Sequence, residues 1–258
     1  MSELALRPAS FTGDMRAMVG RSVRLSVRNV DALITALALP VILMLLFVYL
    51  FGGAIDTGTE YVTYVVPGVI LLCAGFGSSL TAVAVSQDMT GGIIDRFRSM
   101  DIGGPAVLTG HVVASVTRNL LSTVLVLAVA FLIGFRPHAD PAQWLAALGV
   151  LVVFVIAFSW LSAAIGLVAR SPEAANGFSF FVTFLPYPSS AFVPIDTMPS
   201  WLHGFAEHQP FTPVIESMRG LLLGTPVGNA PWLALAWCGG ILVAAVTASG
   251  FLFRRRTS

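Results

Sequence analysis

Residues 86–110 read SQDMTGGIIDRFRSMDIGGPAVLTG, and the charges of this stretch separate two long uncharged ones. Residues 61–87 on one side and 119–135 on the other contain no Asp, Glu, Lys or Arg. A helix crossing the hydrocarbon core of a bilayer needs about 20 consecutive, mostly apolar residues, so these charges mark where the chain leaves the membrane between two spans. Gly91 and Gly92 stop the helix that continues from the first span, and Gly103, Gly104 and Pro105 prepare the entry to the next. Between them Ile93, Phe97 and Met100 recur at i, i+4 and i+7 as a small apolar face, with Asp95, Arg96 and Arg98 around it. A solvated loop has no need of Phe97. The segment reads either as an interfacial helix lying flat on lipid or as a knob that docks into a cytoplasmic protein, and its rigid glycine-bounded form favours docking.

The rest of the chain repeats this alternation. Of its 258 residues 56% are apolar and 10% charged, against roughly 25% charged in an ordinary soluble domain, and its mean hydropathy is +0.86. A soluble domain of this size must cover its surface with polar groups, so the composition places the chain in a bilayer. The uncharged runs are 32–55, 61–87, 119–135, 141–169, 174–195 and 220–253. The third is short unless its helix starts near Val112 and carries Arg118 in its first turns, with the side chain snorkelling to the interface. The last is broken by Gly224, Pro226, Gly228 and Pro231. The expected fold is all-α and integral to the membrane. One transmembrane domain covers 1–258, with six spans at 32–55, 61–87, 112–135, 141–169, 174–193 and 232–253.

Arginine bias in the connections sets the orientation. Arg7, Arg16, Arg21, Arg24 and Arg28 precede the first span, Arg96, Arg98 and the borderline Arg118 follow the second, Arg170 follows the fourth, and Arg254, Arg255 and Arg256 follow the sixth. The opposite connections hold only Arg136 and Arg219, beside Asp56, Glu60, Asp140, Asp196, Glu207 and Glu216. Both termini are therefore expected in the cytoplasm. The first span is too long for a signal-peptide core of about 7 to 15 residues. Ahead of it, residues 11–30 place Phe11, Met15, Met18, Val19, Val23, Leu25 and Val30 on one half of a helix and Arg16, Arg21, Arg24 and Arg28 on the other. This pattern predicts an amphipathic interfacial helix whose arginines meet anionic lipid, with a grip on a cytoplasmic partner as the sharper alternative.

The connection before the last span contains PIDTMPSWLHGFAEHQPFTPVIESMRGLLLGTP at 194–226 and is external by this topology. Met198, Trp201, Leu202 and Phe205 make one apolar stripe, and a second helix starting near Thr212 and Pro213 carries Ile215, Met218 and Leu222. Pro186 and Pro188 weaken the end of the fifth span just before it. The pair reads as a re-entrant hairpin in the outer leaflet, either gating or plugging the bundle, with Asp196, Trp201, Phe205, Glu216 and Arg219 as its marked residues. His203 and His208 are five apart, not the i, i+4 pair of a zinc helix, so no metal site is expected.

All fourteen basic residues are arginine. Without lysine the chain holds neither a P-loop nor a Schiff-base amine, so it is not itself a P-loop ATPase. Cys73 and Cys238 sit in apolar runs as packing residues. No Asp, Glu or Lys falls at midspan, which removes the proton relay of many pumps. Ser78, Ser79 and Thr81 are too scattered to name as a catalytic set. A net charge of +1 offers no field for nucleic acid. What remains is a six-helix bundle with a docking helix, suited to a subunit moved by a separate engine. An ion channel, which needs a polar ring, and a scaffold or immunity-type protein are the alternatives. A path between subunits would be lined by Phe47, Tyr49, Phe178, Phe181 and Phe184, which suits amphipathic or lipid-like cargo.

The amphipathic entry helix, the six spans, DMTGGIIDRFRSM at 88–100 and SSAFVPIDTMPSWLHGFAEHQPFTPVIESMRGLLLG at 189–224 together resemble the permease subunits of the daunorubicin-resistance branch of type-2 ATP-binding-cassette exporters. The resemblance implies a non-catalytic half-permease that pairs with a second copy or a homologue and with two soluble ATPase subunits. ATP and magnesium are used by those partners, and no cofactor is bound by this chain. It also implies that 93–100 is the coupling helix fitting a cleft in the ATPase, with Gly92, Ile93, Asp95, Arg96, Phe97, Arg98 and Met100 as coupling residues, and that 195–224 is an external re-entrant hairpin. Export of a hydrophobic small molecule (drug, antibiotic or lipid) through a bacterial cytoplasmic membrane follows from the resemblance alone. One departure is that Asp101 precedes Ile102 where the family usually carries proline and then isoleucine.

Overall fold

The computed structural model describes residues 18–24, 38, 40–92 and 104–257, and every regular element among them is helical. In chain order these are α1 (18–24), α2 (Pro40–Phe51), α3 (Tyr61–Thr90), α4 (Gly104–Leu132), α5 (Pro141–Val168), α6 (Pro172–Phe184), α7 (Ser200–His208), α8 (Phe211–Leu223) and α9 (Ala230–Thr257). Helices α3, α4, α5 and α9 are long and apolar enough to cross a membrane, while α2 is a shorter apolar helix and α6 has 13 residues. The first part of the expected 32–55 span lies largely outside the described residues.

Helix α3 is the centre of the bundle. Most of its 30 residues are buried, and Val65, Val66, Val69, Leu71 and Leu72 are fully enclosed. A helix apolar on every side is one surrounded by others, and α3 packs on α4, α5, α6 and α8. Lipid gives helices no hydrophobic reason to associate, so small residues that let backbones approach carry much of the packing. A Cβ on Gly68 would lie 2.7 Å from the Ala191 carbonyl oxygen, and one on Gly166 of α5 would lie 2.5 Å from that of Ala82. Helix α5 begins where Asp140 and Gln143 form a reciprocal capping box at 2.7 and 2.9 Å, with Pro141 at the first position. Further along α5, Phe154 and Phe158, stacked 4.3 Å apart, each meet Phe211 of α8 edge-on at 5.1 Å between centroids, which seats α8 against the bundle.

Two expected boundaries shift. Helix α4 begins at Gly104 rather than near Val112. Its added stretch is stabilised by α1: Gly110 sits so close that a Cβ there would be 3.1 Å from the Met18 backbone, and Met18 packs on Ala106 and Val107. The earlier start moves Arg118 from the first turns to mid-helix. Its guanidinium does not snorkel to an interface but donates from Nη2 to the Gly77 carbonyl at 2.7 Å. The expected 174–193 span is helical only to Phe184, because Pro186 and Pro188 cannot continue the helix. The chain then turns, with Ser189 Oγ donating to the Pro186 carbonyl and accepting from the Ala191 amide.

The tight α3 contact gives a direct test. Gly68→Ala should destabilise the detergent-solubilised protein by about 1–3 kcal/mol through overpacking, whereas Gly149→Ala, with nothing within 4 Å of the new Cβ, should not. Equal thermal unfolding midpoints for the two variants would show that α3 does not approach Ala191 as closely as described.

Candidate functional site

The one charge on the last turns of α3 is Asp88, which is buried. Arg21 of α1 reaches it with both terminal nitrogens, Nη1 to Oδ2 at 3.0 Å and Nη2 to Oδ1 at 3.2 Å. This is the bidentate fork geometry that makes an Arg–carboxylate pair strong and directional. From α4, His111 Nε2 lies 3.0 Å from the same Oδ2. Three segments distant in sequence are thus tied at one carboxylate. Arg21, placed by the sequence pattern on the lipid-facing charged side, turns inward instead. Arg24 is exposed, with its Nε on the Gly20 carbonyl of its own helix at 3.0 Å. Arg16 and Arg28 lie outside the described residues.

Just past Asp88 the helix stops. Gly91 closes it through a bond to the Gln87 carbonyl, and Gly92 takes φ +72°, the left-handed conformation that glycine adopts without strain. Ile93, Asp95, Arg96, Phe97, Arg98 and Met100 lie outside the described residues. The Asp88 cluster therefore sits at the root of that segment on its α3 side.

A second polar group runs through the middle of the bundle. Ser159 of α5 donates to Ser115 of α4 at 2.8 Å, and its hydroxyl lies 3.4 Å from that of Ser78 of α3. Asn119 donates to the Ser115 carbonyl at 2.9 Å, and its side chain fills the space that a Cβ on Gly77 would need. Ser79 shares a 2.9 Å hydrogen bond with Thr183 of α6. Of the residues dismissed as scattered along α3, Ser78 meets α5 and Ser79 meets α6, while the buried Thr81 hydroxyl has no hydrogen-bond partner. The available signal was the spacing of Ser115, Asn119 and Ser122 on one face of α4.

The hairpin is built by α7 and α8 and held by Arg219. Its guanidinium lies 3.7 Å over the Tyr64 ring, Nε donates to the Tyr64 carbonyl at 3.2 Å, and Nη2 donates to the Ser190 carbonyl. Cation–π and hydrogen-bond contacts thus latch α8 to the first turn of α3 and to the end of the α6 turn region. Burial raises the Glu216 carboxyl above its usual value, against the pull of Arg219. Asp196, Trp201 and Phe205 are exposed. His203 and His208 hydrogen bond to the Met198 and Gly204 carbonyls at 2.8 and 2.9 Å.

The five aromatics assigned to a path do not share one environment. Phe47 packs inward, stacked on Phe192 with centroids 4.5 Å apart. Tyr49, Phe178, Phe181 and Phe184 are exposed on the outside of α2 and α6, Tyr49 by 72% and Phe181 by 75%. Within one chain they line no common cavity. Any path that they form lies on the surface of the subunit.

Residues 14–223 match the ABC-2 type transporter family. The chain is 33% identical over 195 residues to the daunorubicin resistance ABC transporter permease protein DrrB1 of Streptomyces coeruleorubidus, covering 75% of this chain and 69% of that one. It is 24% identical over 233 residues to the probable doxorubicin resistance ABC transporter permease protein DrrC of Mycobacterium tuberculosis, covering 90% and 84%. The doxorubicin resistance ABC transporter permease protein DrrB of the same organism is 24% identical over 213 residues, covering 80% and 73%. With apolar membrane-length helices and a family match over most of its length, the chain belongs to the ABC-2 type transporter family as a membrane permease subunit.

Proposed function

We propose that this chain is the transmembrane half of an ATP-driven exporter of an amphipathic, drug-like small molecule. The observation that carries the reading is the family match over 14–223 together with relatives named as daunorubicin and doxorubicin resistance permeases. Two permease subunits, identical or homologous, would work with two soluble ATPases that bind ATP and magnesium. Six spans are completed by α2 with the residues before it and by α6 with the turns after it. Both termini then face the cytoplasm, and the α7–α8 hairpin faces out.

In this arrangement the 93–100 segment is the part the ATPases push. Asp88 stands five residues before Ile93, and its bonds to Arg21 and His111 would spread that displacement to α1 and α4 instead of letting the end of α3 bend alone. Rocking of packed helices as bodies is the expected response, because close-packed interfaces have discrete arrangements. Arg219 would hold the hairpin on α3 at the far end of the same helix. The exposed aromatics of α2 and α6 would then face the second subunit across an apolar path suited to an amphipathic or lipid-like cargo.

A mild-detergent pull-down tests this reading. The chain should recover a soluble ATPase in equal amount, and Phe97→Ala should remove most of it. Recovery of the bare chain under the same conditions would contradict the reading. A second outcome concerns Asp88. Asp88→Asn weakens a charge-assisted cluster worth about 1–3 kcal/mol where partly exposed, so the ATPase should still bind while cargo moved per ATP hydrolysed falls several-fold. An unchanged ratio would show that the cluster carries no load.

A further inference from the structure

Helices α4 and α5 do not close against each other at the end that carries the hairpin. Between them lies a cavity of about 740 Å³, open on one side. Its walls are the Leu120 to Leu127 face of α4 and the Pro141 to Leu151 face of α5, with Ile70 of α3 and Met218 of α8 behind. Among the lining side chains only Trp144, through its indole N–H, and Thr123 carry a polar group. The Thr123 hydroxyl is already committed, donating to the Asn119 carbonyl one turn back at 2.9 Å.

Three properties select the occupant. The first is depth: from Pro141 to Leu151 a helix rises about 15 Å, which is half of a hydrocarbon core of about 30 Å. The cavity therefore spans one leaflet. The second is chemistry, since binding sites for amphipathic small molecules place a few polar groups to orient the ligand, and this one offers only the indole N–H of Trp144. The third is the rim. The 133–140 connection joins α4 to α5 at the mouth and carries Arg136 and His138, both exposed, beside Asp140. Arg136 holds its guanidinium at the end of α4, donating to the Phe131 and Phe135 carbonyls at 3.0 Å each, where its exposed side meets the headgroup layer. A second permease copy fits poorly, because a helix about 10 Å across is too bulky for a recess of this volume.

We infer that this cavity holds one acyl chain of a membrane phospholipid, with the phosphate of that lipid against Arg136. The lipid is then a resident partner of the α4–α5–α8 corner, separate from the cargo path on α2 and α6. It fills a void that close-packed membrane helices would otherwise leave and packs against α8 at Met218 and Leu222. Assignment to the outer leaflet rests on the topology proposed above. Failure of that topology would change the leaflet and leave the binding result intact.

Trp144 lines the cavity and reports on it. Two variants of the full chain, one retaining only Trp144 and the other only Trp237 on the lipid-facing side of α9, would be reconstituted in phosphatidylglycerol–phosphatidylcholine vesicles with a rising fraction of brominated-chain phosphatidylglycerol. Trp144 should be half quenched at a brominated fraction several-fold lower than Trp237, and Leu148→Phe in the same background should erase the difference. Coincident curves before the cavity is filled would overturn the inference. So would absence of quenching at Trp144, which would mean protein covers the cavity. Restoration of Trp144 emission by micromolar amphipathic drug would also overturn it, by making the cavity a cargo site. The unmodified chain supplies an independent readout, because native mass spectrometry after detergent washing should retain one phospholipid per chain, and a bare mass would contradict the assignment.

Discussion

A single carboxylate at the end of the most buried helix constrains the rest of the structure. Asp88 belongs to α3, which is enclosed along most of its length, and a charge there is tolerated only with partners. Arg21 and His111 supply them from α1 and α4. Because both partners are needed, α1 must lie across the start of α4 and α4 must begin early enough to present His111. The close fit of Gly110 on Met18 follows from that placement. The same cluster stands beside the Gly91–Gly92 stop, within one turn of the end of α3.

Above that point the bundle is held by contacts that transmit displacement rather than absorb it. Small residues bring α3 within backbone contact of the 185–192 turns and of α5, and hydroxyl pairs such as Ser159 with Ser115 fix lateral register. Interhelical hydrogen bonds of this kind contribute modestly each, about 0.6 kcal/mol on average in a membrane, so their value lies in specificity. At the far end Arg219 clamps α8 to Tyr64. In the proposed mechanism, a push at one end of α3 would have a defined element to move at the other.

Much of this was legible in the sequence, because charges are so sparse that runs without them outline the helices. Helices α3 and α5 follow from such reading, and α8 from its prolines and the stripe of Ile215, Met218 and Leu222. The start of α4 does not, since the search for uncharged runs stops at Arg118, and a buried arginine satisfied by a carbonyl of another helix has no local signature. The Arg21–Asp88 pair joins residues 67 apart, and the serine cluster spans three helices. Neither can be read from spacing along one element. Phe47 and Tyr49, two residues apart on one helix, fall on opposite faces as their spacing implies, one inward and one exposed, so both could not line one path within the chain.

The central claim is that this chain moves cargo only when an ATPase works on it. Inside-out vesicles containing the chain with its co-purified ATPase, supplied from the outside with ATP and a fluorescent anthracycline, test it directly. Accumulation that requires ATP hydrolysis and both proteins is the result expected. Uptake or ion conductance by the chain alone, indifferent to ATP, would contradict the account and make the protein a channel built on a transporter fold.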